Sequence, residues 1–152
     1  MRIAPVFLSL ILLAGCTTIQ IPTYIKADHP YTRKMYGDFD HIVVVVKRVL
    51  ERNGWKIASE THPSVYERST DEDKETPKDL VIFTDVKQHT RILYSSYSHL
   101  NVFCHANPEG AEVEIRYGKE MPLLIHQFHT TRNDALGESL LGQIEQEMLK
   151  VK

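Results

Sequence analysis

Residues 99–117 read HLNVFCHANPEGAEVEIRY, two alternating runs around Asn107-Pro108-Glu109-Gly110. Turn formers between two β-rich runs predict a hairpin. Side chains alternate between the two faces of a strand. With Ala106 opposite Ala111, Cys104 meets Val113, Val102 meets Ile115 and Leu100 meets Tyr117. That apolar face needs a cover. The other face pairs His105 with Glu112, Phe103 with Glu114 and Asn101 with Arg116, and His99 ends the row. A slip of one residue would exchange the faces, so the alternation specifies the register.

The cover comes from two amphipathic segments. In residues 38–53, Phe39, Ile42, Val43, Val46, Val49 and Leu50 recur at helical spacing behind Asp38, a good N-cap. Lys47, Arg48, Glu51 and Arg52 take the opposite side, and Asn53-Gly54 ends the run. In residues 134–150, Leu136, Leu140, Leu141, Ile144 and Met148 form a second stripe behind Asn133. Gly137 and Gly142 interrupt it. Each costs up to about 1 kcal/mol relative to Ala, so packing has to compensate.

Further extended pieces are expected at 55–60, with Trp55 and Ile57 on one face, and at 64–68. Residues 80–88 read as a strand with Leu80, Ile82 and Val86 on one side, and 123–125 follow Pro122 as a last piece. Residues 17–35 read as a tether leading into an edge strand at 21–26, where Pro22 is tolerated. Residues 69–79 are a charged loop. The order is β-α-β-β-β-β-α. It predicts an α+β two-layer sandwich, an antiparallel sheet of about four to five strands with two helices on one face.

The 152 residues are 42% hydrophobic and 25% charged, which suits a single packed domain. The formal net charge of -2 gives no basic excess for nucleic acid. There is no glycine-rich phosphate loop, no G-x-S-x-G, no H-E-x-x-H and no C-x-x-C. The expected function is therefore binding rather than catalysis, and no cofactor is expected.

Residues 1–16 read MRIAPVFLSLILLAGC. Arg2 precedes an apolar stretch, residues 3–13, which is too short for the ~20 residues of a membrane span. The closing Leu13-Ala14-Gly15-Cys16 resembles the lipobox of bacterial lipoproteins. That resemblance implies cleavage between Gly15 and Cys16, a diacylglycerol thioether on Cys16 and acylation of the new amino group, for example by palmitate. Thr17 follows where an Asp would retain the chain at the inner membrane, by the sorting rule of enterobacteria. The implied location is the outer membrane, with the domain in the periplasm. The implied organisation is a signal peptide at 1–15, a lipidated N-terminus and tether at 16–35, and one globular domain at 36–152.

Residues 39–57 run from an apolar helix through Asn53-Gly54-Trp55 into a strand. With the acylated Cys and a closing helix, this is similar to the helix-grip domains of bacterial outer-membrane lipoproteins of the BamC type. Lipopolysaccharide-assembly lipoproteins have a similar strand order. The resemblance implies a non-catalytic module that binds an envelope protein complex through its free sheet face or the outer side of its first helix.

Two other readings compete. His99, His105 and Glu112 are weak candidates for a metal or small-ligand site, with His126-x-x-His129 nearby in the sequence. A hydrolase would use Cys104. However, Cys104 and His105 are strand neighbours and point to opposite faces, so Cys104 reads as a buried small hydrophobe. The 71–79 loop lacks the Gly and Glu of an EF-hand.

Overall fold

In the computed structural model the described residues are 21–26, 30–67, 78–92, 95–120 and 132–150. The leader 1–15, Cys16, most of the charged loop, residues 122–125, His126 and His129 lie outside them.

Among the described residues, six strands form one antiparallel sheet. They are β1 (Tyr31–Tyr36), β2 (Ile57–Thr61), β3 (Leu80–Thr84), β4 (Lys87–Thr90), β5 (Ser95–Asn107) and β6 (Gly110–Glu120). The helices are α1 (Phe39–Arg52) and α2 (Asp134–Lys150). The sheet order is β1-β6-β5-β3-β2, and β4 also pairs with β5.

The hairpin has the register its alternation specifies: Ala106 opposite Ala111, Cys104 opposite Val113, Val102 opposite Ile115 and Leu100 opposite Tyr117. Gly110 is required at its turn. A Cβ there would sit 2.2 Å from the Met35 carbonyl oxygen, so only a glycine lets β1 lie alongside.

Both helices cover the front of the sheet. Ile42, Val46, Val49, Leu50, Leu140, Leu141 and Ile144 pack on Leu100, Val102, Cys104, Val113 and Ile115, and each of these is at most 1% exposed. The Asp38 carboxylate caps α1 by accepting from the His41 N–H at 3.0 Å. The Asn133 side chain accepts from the Leu136 N–H at the start of α2. Val45, on the flank of the predicted stripe, is also buried. Asn53, beyond the end of α1, bonds Gln143 of α2, and Arg52 pairs with Glu147. The two helices therefore shield each other as well as the sheet.

The sheet has six strands where about four to five were expected, and the strand pattern departs from expectation in three places. The edge strand is Tyr31–Tyr36, and residues 21–26 are not a strand. Pro22 and the back face of the sheet explain this, because 21–26 lies across the sheet and bonds to side chains. The strand expected at 64–68 is a 3-10 turn, Pro63–Val65, started by Pro63. The strand expected at 80–88 is split into β3 and β4. Phe83 pairs with Asn101 and Lys87 with Ser98, so three residues, 84–86, oppose two, 99–100. This is a β-bulge, and it reverses the facing of every residue beyond it. Val86 is consequently 43% exposed instead of lying with Leu80 and Ile82. Thr84 fills the gap in the ladder: its hydroxyl accepts from the Leu100 N–H at 2.8 Å and donates to the Leu100 carbonyl at 3.3 Å.

Candidate functional site

The back of the sheet carries a second layer. Val81 and Phe83 from β3 and Phe103 from β5 form a small apolar cluster with Tyr24 against it. The segment 21–26 crosses this face as a strap. Ile25 is 1% exposed. Tyr24 stacks on Tyr66, ring centres 5.3 Å apart, and Tyr66 meets Phe83 edge-on.

Two strand side chains hold the strap. Asn101 accepts from the Ile25 N–H at 2.7 Å and donates to the Thr23 carbonyl at 3.0 Å. This mimics a strand ladder with one side-chain amide. Opposite it, Arg116 is 4% exposed and lies 3.8 Å from the centre of the Phe103 ring. Its Nη1 donates to the Ile25 carbonyl at 3.2 Å, the Tyr24 hydroxyl at 2.8 Å and Glu67 at 2.7 Å. Its Nε donates to Glu114, and the Tyr24 O–H donates to Glu67.

Burial opposes charge on Arg116, but Glu67 and Glu114 outweigh it and hold the guanidinium above its usual pKa. Burial likewise opposes charge on Glu67. The bonds from Tyr24 and Arg116 prevail and keep its carboxyl below the ordinary glutamate value. Burial, and then the bond to Glu67, push the Tyr24 phenol up. The cluster is thus an ion pair built into a clamp. Its Nε and Nη1 donors are spent on acceptors of this chain.

The weak metal candidates are not gathered. His99 and His105 share the back face but are six residues apart on β5, roughly 20 Å, with Asn101 and Phe103 between them. His99 is 2% exposed, and burial lowers its pKa, with the nearby Pro22 backbone acting in the opposite sense. His105 stands opposite Glu112, stacks on Phe103 and contacts Asp79 at 3.3 Å. Asp79 also accepts from the Ala106 N–H at 2.8 Å. Among the described residues, no group of three or more His, Cys, Asp or Glu side chains is arranged to hold a metal.

Cys104 lies on the front, fully buried, and burial pushes its thiol up to about 12. It stays protonated at neutral pH. His105 faces away from it, as strand alternation requires.

Sequence reasoning placed Asn101, Phe103 and Arg116 together but left out Tyr24, Glu67 and Asp79. The signal for a second layer was present. The runs Leu80-Val81-Ile82-Phe83 and Val102-Phe103-Cys104 are apolar on both faces, the mark of a strand covered on both sides. The face expected to be free is therefore occupied at its centre by the chain's own strap.

No known protein family matches this chain, and no curated protein matches it.

Proposed function

We propose that this protein is a lipid-anchored, non-catalytic binding or assembly module of a bacterial envelope. It is held through acyl chains on Cys16 at the periplasmic face of the outer membrane. The observation that carries the reading is Leu13-Ala14-Gly15-Cys16, followed closely by the strap at 21–26. A lipidated residue so near a segment bonded to Asn101 and Arg116 couples the anchor to the folded domain. Anchoring raises the effective concentration of such a module for membrane-bound partners.

With the back face strapped at its centre, the surface left for an envelope protein partner is the outer side of α1. Val44 is 49% exposed there, beside Lys47 and Arg48. A metal-binding role through His99, His105 and Glu112 gains nothing from the geometry, since His99 is far from the other two.

The test is crosslinking in intact cells, with mass spectrometry of the products. A recurring envelope complex that disappears with Cys16→Ser is the expected result. A crosslinked monomer and nothing else would refute the adaptor role. Wild-type protein that fractionates away from membranes, as Cys16→Ser should, would refute the anchor.

A further inference from the structure

We infer that the back of the sheet is a peptide-recognition groove which the chain's own strap fills as a stand-in. Its partner is an extended segment of another protein, with an aromatic residue, a β-branched aliphatic and a basic residue in succession. This goes beyond the envelope reading and stands without the lipid anchor.

The groove reads an extended main chain. Asn101 accepts from the Ile25 N–H and donates to the Thr23 carbonyl, and Arg116 donates to the Ile25 carbonyl. Bonds of this kind hold any extended segment, and side-chain pockets then select the sequence. The selection is visible in the strap. Ile25 is buried, and the Tyr24 hydroxyl joins Arg116 to Glu67. Around Arg116 the clamp has two carboxylates, Glu67 and Glu114, against one guanidinium. The strap meets that charge with Lys26 and has no carboxylate in residues 21–26.

The strap is lightly held. Of residues 21–26 only Ile25 is buried, while Pro22, Thr23 and Lys26 are exposed. Segments with few buried apolar groups open at low free energy, well before the fold is lost.

An incoming segment competes with a strap tethered at high effective concentration. The strap of a second copy would make the same bonds and gain nothing over the resident one. A partner therefore has to reach surface that the strap leaves in water. Tyr66 offers it: the ring stacks on Tyr24 and meets Phe83 edge-on, yet it is 44% exposed. Its neighbour Val65 is 66% exposed. Apolar surface left uncovered beside an occupied groove is where a tighter occupant gains affinity.

The test uses the full-length chain and a fluorescent peptide, Ile-Pro-Thr-Tyr-Ile-Lys with capped ends, the sequence of residues 21–26. Anisotropy is read for the wild type and for the double variant Tyr24→Ala, Ile25→Asp, which loosens the resident strap. Apparent affinity falls with the fraction of grooves that are open, so the double variant should bind the peptide at least roughly tenfold more tightly. A peptide with Asp in place of its second Ile, or N-methylated at that amide, should not bind. Both changes lie in the probe and leave the protein's fold untouched. Emission of Trp55, buried in the front core, reports whether the variant is folded. If it is not, Ile25→Ser alone opens the groove with a smaller change. No binding to a folded strap variant, or equal binding to variant and wild type, would overturn the groove. A concentration-dependent dimer of the wild type that is lost in the strap variant would give the groove to a second copy and overturn the partner.

Discussion

The sheet has two covered faces that are covered in different ways. On the front, two helices bring Ile42, Val46, Val49, Leu140 and Ile144 onto Leu100, Val102 and Ile115, and nearly every contact is apolar. On the back, a six-residue strap is held by Asn101, Arg116 and Glu67, with only Val81, Phe83 and Phe103 as an apolar floor. Apolar burial is non-directional and scales with area, so the front is the source of global stability. The clamp is directional. It determines where the strap lies, but half-exposed Glu67 can return to water when the strap leaves, so it contributes less to folding. A buried ion pair is weak support for stability and good support for a defined geometry.

The comparison can be broken first at its strong side. Leu100→Ala on the front should lower unfolding free energy by about 3 kcal/mol, read from the denaturant midpoint. A change under 1 kcal/mol would mean that the helix layer is not the main core. Arg116→Leu on the back should cost less, about 2 kcal/mol against the roughly 3–5 of a fully buried pair. Its main effect should be local: hydrogen exchange at residues 23–25 accelerates while β5 and β6 stay protected. Uniform acceleration across the sheet would show that the clamp and the core unfold as one unit.

Acid should release the strap in two steps. The His99 pKa is depressed in the folded state, so its contribution is complete above about 6.5 and declines as pH falls below that value. The Glu67 pKa is also depressed. Its contribution is present above about 4.3 and is lost as pH falls through the lower folded value. Exchange at 23–25 measured from pH 7 to 3 should rise earlier than exchange in α1. Simultaneous loss in strap and helix would contradict the separation of the two faces.

The smallest effects concern two glycines of α2. A Cβ at Gly137 would lie 2.4 Å from the ring of Tyr31, whose hydroxyl donates to Asp134 at 2.7 Å. Gly137→Ala should therefore destabilise by about 1–2 kcal/mol. A Cβ at Gly142 meets nothing within 4 Å, so Gly142→Ala should stabilise by about 0.5–1 kcal/mol. Thermal midpoints moving in the same direction for both would show that the Tyr31 contact does not determine the sign.

Those glycines also show how far the chain can be read without coordinates. Helical periodicity marks both as costly, yet only the position of Tyr31 on β1 distinguishes the required one from the removable one. Strand alternation is equally local, and for this reason the hairpin register and the facing of Cys104 and His105 follow from residues 99–117 alone. Both helices and their caps follow in the same way from spacing and N-cap chemistry. The bulge at 84–86, the edge strand at Tyr31–Tyr36 and the strap over Arg116 do not. Each depends on partners far away in the chain: Ile25 is 76 residues from Asn101 and 91 from Arg116. Periodicity reports which side of an element is apolar. Which distant segment covers that side depends on the three-dimensional closure of the chain, since hydrogen bonds and burial are satisfied across space with no trace in local spacing.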